Sequence, residues 1–209
     1  MIRGNLHTHS TYCDGKSTLE ENVLAAIEKG FSYIGFSGHS VVEHDLRYCM
    51  KPRQEGAYFN EINALKEKYK DKIRVLCGIE RDFLSKDYGY DYEFVIASSH
   101  YIKAGNSFAD VDESEKKQKK CIDKFYGGDP YAYAEEYYKT VAKLRGDIIG
   151  HFDLLTKFDR NNYIFNPREE RYKKAVLSAL EELLENKQVL EVNTGAMSRG
   201  YKDAPYPDL

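Results

Sequence analysis

Six short apolar runs punctuate this chain, and none of them alternates apolar with polar residues. They are Ile2 to Leu6, Tyr33 to Phe36, Ile73 to Leu76, Phe94 to Ala97, Ile148 to Ile149 and Val189 to Val192. Runs this short, rich in Val and Ile and closed by turn residues, predict strands buried on both faces. Between them lie segments with helical punctuation. Ser17-Thr18-Leu19-Glu20 reads as a capping box opening a helix with Leu19, Val23, Ala26 and Ile27 on one face, and Gly30 is placed to end it. Asp129-Pro130 and Asn166-Pro167 each pair a cap side chain with proline at the first helical position. Strands alternating with helices demand a parallel sheet with right-handed crossovers, an α/β fold.

A length of 209 residues suits one domain over the whole of 1–209, because single α/β barrels run to roughly 200–250 residues. Residues 103–128 break the rhythm. They are highly charged and poor in apolar side chains, and read as an insertion or long loop. Lys+Arg 31 against Asp+Glu 34 leaves a net charge of −3, which gives nucleic acid no general electrostatic footing. No apolar run reaches the ~18 residues of a membrane span, and the N-terminus lacks a secretory apolar stretch. Cys13, Cys49, Cys77 and Cys121 are scattered without a CxxC pair, as free thiols in a reducing cytoplasm would be. Tyr131, Tyr133, Tyr137 and Tyr138 crowd one helix, but Glu135 and Glu136 lie among them. That pattern predicts amphipathic packing with wet hydroxyls rather than a base-stacking platform. The basic run Lys116-Lys117-Gln118-Lys119-Lys120 follows Asp112, Glu113 and Glu115 and reads as a solvated face.

The histidines are informative by position. His7 and His9 follow the first run, His39 the second, His100 the fourth and His151 the fifth, while Glu80 follows the third. In a parallel β/α barrel the carboxyl ends of the strands converge on one mouth, where active sites are built. Five successive strands thus deliver imidazoles or a carboxylate to equivalent places, which predicts a metal site. His7 and His9, two apart in an extended segment, point to one side and can chelate together. Imidazole with carboxylate suits Zn²⁺, Mn²⁺ or Fe²⁺. A carboxylate can bridge two ions, and two ions about 3.5–4 Å apart form a clamp for phosphate-ester hydrolysis.

These residues resemble the polymerase-and-histidinol-phosphatase (PHP) family of metal-dependent phosphoesterases. His7-Thr8-His9-Ser10 with Cys13-Asp14-Gly15 looks like its first motif, Ser37-Gly38-His39 its second, and Gly78-Ile79-Glu80 its third. Ser99-His100 and Gly150-His151 look like the fourth and fifth. The resemblance spans the chain and implies a distorted (β/α)7 TIM-like barrel holding two to three divalent ions (Zn, Mn or Fe). Carried over by motif, one ion takes His7, His9 and Glu80, a second takes Glu80, His100 and His151, and a third takes Asp14 and His39. Glu80 and Asp14 are then the catalytic carboxylates.

The segments Glu80-Arg81-Asp82-Phe83, Gly150 to Leu155 and Glu191 to Gly195 look most like the family's phosphomonoesterases. The implied substrate is small and phosphorylated, L-histidinol phosphate of histidine biosynthesis. Arg160 and Arg199, just beyond the fifth and sixth runs, are candidates to hold its phosphate, with Asn193 and His44 as candidate substrate contacts. The family also carries a late Asp-x-His motif after a seventh strand, whereas no histidine follows His151. The barrel is therefore expected to lack its last βα unit, and the first and third ions to bind more weakly than the second. Two other readings share the metal motifs: a family nuclease acting on oligonucleotides, and an impaired barrel serving as a binding subunit.

Overall fold

The computed structural model describes residues 3–208, and the chain divides into two compact units, one running up to Ile96 and the other from Ala97 onward. In the first unit β1 (Gly4–Asn5), β2 (Tyr33–Phe36) and β3 (Arg74–Asp82) lie side by side in that order. Their pairing is parallel, with Gly4 opposite Tyr33 and Tyr33 opposite Arg74. The Glu93 amide donates to the Cys77 carbonyl at 2.7 Å, which sets the start of β4 (Phe94–Ser98) beside β3. The crossovers are α1 (Leu19–Glu28) and α2 (Glu55–Tyr69). The α/β expectation holds.

The capping box of α1 forms one residue later than expected. Thr18 is the cap, its hydroxyl accepting from the Glu21 amide at 3.2 Å while the Glu21 carboxylate accepts from the Thr18 amide at 2.8 Å. Gly30 ends the segment at φ +71°, a left-handed conformation that suits glycine. Leu19, Val23 and Ala26 of α1 pack with Tyr58, Ile62 and Leu65 of α2 and with Ile34, Phe36, Val75, Cys77 and Ile79 of the strands. The strand glycines have a packing cause. A Cβ on Gly78 would lie 2.3 Å from the Phe94 ring, and one on Gly35 2.9 Å from it, so the ring needs both positions bare.

In the second unit the Gly150 amide donates to the Ala97 carbonyl at 3.0 Å, placing β7 (Ile148–Ile149) beside the end of β4. The helix α4 (Pro130–Val141) starts as its sequence dictates, with the Asp129 carboxylate accepting from the Tyr131 and Ala132 amides at 2.9 and 3.2 Å. Its tyrosines pack more deeply than an amphipathic face requires. Tyr133, Tyr137 and Tyr138 are fully buried, and the Tyr138 hydroxyl bonds that of Tyr172 at 2.9 Å instead of water. The helix α5 (Glu170–Glu185) begins later than Asn166-Pro167 suggests. The Asn166 side chain closes a turn on the Arg168 amide at 3.0 Å, and the helix starts only beyond it.

Two segments differ from their sequence reading. Residues 103–128 are not a long loop. β5 (Tyr101–Ala104) and β6 (Ser107–Asp110) form an antiparallel hairpin, followed by α3 (Glu115–Phe125). Polarity hid the helix, because its buried stripe is Gln118, Cys121 and Ile122. Gln118 belongs there because its amide donates to the Leu155 carbonyl at 2.6 Å. The lysines between are solvated and paired at helical spacing, Lys117 with Glu113 and Lys119 with Glu115. The second difference is Val189 to Val192, whose one bridge joins Leu190 to Ile149, while Asn193 just beyond it bridges Tyr206 and Val189 and Val192 are exposed. A lone bridge residue on each side does not propagate into a ladder. No helix among the described residues is long and apolar enough to cross a membrane.

Two outcomes follow from this packing. The buried Tyr58 hydroxyl accepts from the Gly38 amide at 2.9 Å and donates to the Gly78 carbonyl at 3.0 Å. Tyr58→Phe leaves both backbone groups unsatisfied and should cost about 2 kcal/mol in a urea melt; an unchanged midpoint would show that water replaces the hydroxyl. The second outcome concerns Asp110. Burial first, then the charge of Asp112, lifts its carboxyl above the usual range, while Lys157 beside Asp112 overcomes burial and holds that partner low. A raised carboxyl binds its proton more tightly in the folded state, so it costs stability as pH climbs above ~4 toward neutrality. Asp110→Asn removes that cost, so stability curves for the two proteins should converge at acid pH and diverge, variant higher, near neutrality.

Candidate metal centre

The first unit assembles its donors at the carboxyl ends of three adjacent strands. After β1 the Asn5 side chain accepts from the His7 amide at 3.0 Å, and the Thr8 carbonyl accepts from the Ser37 amide at 3.0 Å. Those bonds keep the His7-Thr8-His9 segment running alongside β2. His39 follows β2. Glu80, in contrast, lies inside β3 rather than after it, because the strand continues to Asp82. The extension has a backbone cause: the Glu80 amide donates to the Gly38 carbonyl at 3.1 Å and the Ser40 amide to the Glu80 carbonyl at 2.8 Å. His39 and Glu80 are thereby paired in parallel register.

Three imidazoles converge on one carboxylate oxygen. Glu80 Oε2 lies 3.3 Å from His7 Nε2, 3.2 Å from His9 Nε2 and 2.9 Å from His39 Nδ1. The Glu80 side chain has no exposed surface, and a buried carboxylate costs several kcal/mol unless positive charge compensates it. One atom from each of His9, His39 and Glu80 falls within 4.8 Å of the others, and the same holds for His9, Cys13 and Asp14. Imidazole nitrogens ringed about a carboxylate are donors suited to a divalent ion of the Zn²⁺ or Mn²⁺ kind. The donor set fits the metal that the motifs imply.

His9 is the pivot, facing Glu80 through Nε2 and Asp14 through Nδ1, which lies 2.7 Å from Asp14 Oδ1. Burial pushes the His9 pKa down, but bonds to Asp14, Cys13 and Glu80 outweigh it and the ring titrates well above its ordinary value. Asp14 mirrors it. Burial favours its neutral form, while the bond to His9 and the fields of His39 and His9 hold its carboxyl well below the usual range. His39 Nε2 stands 3.9 Å from Asp14 Oδ1, and the Tyr48 ring meets His39 edge-on at 4.7 Å. No signal in the sequence pointed to Tyr48, which lies in the irregular segment after β2. His44, from the same segment, is exposed.

In the second unit His100 follows β4 and His151 follows β7. Both are buried, with ring centroids 4.9 Å apart. His151 holds φ +23°, an uncommon value for a residue with a side chain. Its amide is held by the Glu191 carboxylate at 2.8 Å and its carbonyl by the Leu154 amide at 2.9 Å. Such positions cost ~1–3 kcal/mol and gather at functional sites. Nothing local in Glu191 to Gly195 marks Glu191 for this task, because its hold on His151 forms only once the chain folds back. Asn193 is engaged locally, donating to Glu191 at 2.8 Å and accepting from the Gly195 amide at 2.8 Å. Arg160 is exposed and forked onto Asp203, with Nε 2.6 Å from Oδ2. Arg199 is exposed at the end of α6 (Gly195–Ser198).

This geometry has a direct calorimetric consequence. Zn²⁺ added to chelator-treated protein at about 100 times its dissociation constant should add about 2.7 kcal/mol of stability, seen as a rise in Tm. Glu80→Gln should abolish most of that rise. A wild-type Tm insensitive to Zn²⁺ and Mn²⁺ would refute metal binding at these residues.

Comparison with known proteins places the fold. The chain is 25% identical over 234 residues to the histidinol-phosphatase of Bacillus subtilis, covering 99% of this chain and 85% of the relative. The crystal structure of a candidate histidinol phosphatase from Listeria monocytogenes superposes with a TM-score of 0.81 at 21% identity, over 98% of this chain and 87% of the other, and so shares the fold. A histidinol phosphate phosphatase from Lactococcus lactis, solved in complex with zinc, L-histidinol and phosphate, matches with a TM-score of 0.60 at 18% identity, over 95% and 76% of the two chains. The PHP domain family matches residues 5–195: the chain belongs to the PHP domain family.

Proposed function

We propose that this chain is a divalent-metal-dependent phosphomonoesterase that hydrolyses L-histidinol phosphate to L-histidinol and phosphate. The observation that carries the reading is the buried Glu80 carboxylate ringed by His7, His9 and His39 at 2.9 to 3.3 Å. It is supported by the relative named histidinol-phosphatase in Bacillus subtilis and by the zinc, L-histidinol and phosphate bound to the Lactococcus lactis protein. The four free thiols suit a reducing cytoplasm.

In this reading His7, His9 and Glu80 hold one ion and Asp14 and His39 another, His100 and His151 are the candidate donors within the second unit, and the chain takes two to three ions of Zn, Mn or Fe. Bound divalent cations supply Lewis acidity toward the phosphoryl oxygens and neutralise charge that develops there. The chain's own residues do the positioning. Asp14 fixes the His9 ring through Nδ1, which keeps Nε2 turned toward Glu80. Glu191 fixes the His151 backbone in its strained conformation. Arg160 presents a planar fork already occupied by a carboxylate, Asp203; the same fork accepts two phosphate oxygens. Arg199 is the second candidate for that task. Asn193 and His44 stand as further substrate contacts, Asn193 held in place by its bonds to Glu191 and Gly195.

The test is phosphate release from L-histidinol phosphate, run beside release from a short oligonucleotide, with Zn²⁺ or Mn²⁺ added. Histidinol phosphate should be the better substrate. Glu80→Gln should lower kcat/KM by more than about 100-fold, since outer-shell partners of a metal ligand alone are worth roughly 10–100-fold. Arg160→Ala and Arg199→Ala should raise KM more than they lower kcat. Preference for the oligonucleotide would replace this reading with a nuclease, and inactivity of folded, metal-loaded protein on both would replace it with a binding role.

A further inference from the structure

A tight turn after His9 brings a sulfur to the edge of the centre. The amides of Cys13 and Gly15 both donate to the Ser10 carbonyl, at 3.0 and 3.1 Å. A Cβ on Gly15 would lie 2.4 Å from the Ser10 amide nitrogen, so the turn closes only around glycine. The closure folds Cys13 and Asp14 back over His9. The His9 ring bonds Asp14 through Nδ1 at 2.7 Å, and one donor atom from each of His9, Cys13 and Asp14 falls within 4.8 Å of the others. The sulfur also borders the second motif, since a Cβ on Gly38 would sit 3.4 Å from Cys13 Sγ.

Cys13 differs from the other thiols of the chain. Cys49, Cys77 and Cys121 are buried in packed surroundings, whereas Cys13 is partly exposed and Asp14 beside it is more so. An ion from solvent can reach this side of His9. Nε2 of the same ring faces Glu80, which leaves Nδ1 for the outer side.

We propose that Cys13 is a metal ligand, its thiolate joining a ring nitrogen of His9 and a carboxylate oxygen of Asp14 in a thiophilic subsite at the outer edge of the centre. The inference rests on the reading of this region as a divalent-cation centre and goes beyond it by naming a sulfur donor. On binding, sulfur–metal and Nδ1–metal bonds replace the Cys13 S–H bond and the His9 Nδ1–H bond that faces Asp14, and both protons leave to solvent. A thiolate is a soft ligand, so the subsite favours Zn²⁺, Cd²⁺ or Co²⁺ over Mn²⁺ and Mg²⁺.

Cobalt distinguishes a sulfur ligand from the nitrogen–oxygen centre itself. Full-length protein stripped with chelator and loaded with Co²⁺ should show visible d–d absorption together with a near-ultraviolet sulfur-to-cobalt charge-transfer band. Cys13→Ser should keep the visible absorption and lose the charge-transfer band, and should weaken Zn²⁺ binding while leaving Mn²⁺ binding unchanged. In the wild-type protein, Zn²⁺ should also protect Cys13 from alkylation, a readout that needs no variant. Visible absorption without the charge-transfer band, a band that survives Cys13→Ser, or alkylation equally fast with and without Zn²⁺ would each overturn the sulfur ligand and leave the nitrogen–oxygen centre standing. Absence of all cobalt absorption would overturn both.

Discussion

A carboxylate with no exposed surface sets the terms for the first unit. Glu80 cannot sit in the core without positive charge against it, and three imidazoles are turned onto one of its oxygens to provide a place for that charge. Much of the surrounding construction serves to hold this arrangement. β3 runs nine residues, through Glu80, because its backbone exchanges bonds with Gly38 and Ser40 on either side of His39. The Tyr58 hydroxyl, reaching from α2, clasps Gly38 to Gly78 and so ties the second and third motifs together. Gly35 and Gly78 stay bare so that the Phe94 ring can lie against them.

The second unit meets a different constraint, the supply of partners for polar groups that its packing buries. Gln118 lies on the inner stripe of α3 because the Leu155 carbonyl accepts its amide. Lys202 is buried with its ammonium on the Thr156 hydroxyl at 2.7 Å and 3.3 Å from the Asp208 carboxylate. His151 keeps an uncommon backbone conformation because Glu191 and Leu154 hold both of its peptide groups. In each case a residue that looks out of place by polarity or conformation is explained by one specific bond.

The readable part of the sequence was its apolar punctuation. Tyr33 to Phe36 and Ile148 to Ile149 are strands at the expected bounds, and Asp129-Pro130 starts its helix as expected, because burial on both faces and a cap with proline leave local marks. His7, His9, His39 and Glu80 stood out for the same reason, at or near the ends of expected strands, while Asp14 stood out only through the motif resemblance, and the structure brings these five side chains together. Where the sequence misled, a non-local bond decided. Glu80 was expected after a strand that in fact continues through it. Residues 103–128 read as an insertion or long loop, and their helix went unseen because a glutamine takes a core position. Val189 to Val192 looked like a strand, yet only Leu190 finds a strand partner, Ile149.

By itself the sequence determined the α/β class and most of the alternation of strands and helices, and it marked out the candidate donors, since these depend on local polarity, capping and chain order. Only the tertiary structure decided that the three imidazoles share a single oxygen of Glu80, that Arg160 is already forked onto Asp203, and that a thiol stands beside His9 and Asp14. Those facts depend on distances between residues far apart in the chain or turned by a tight loop, and no local pattern encodes a distance.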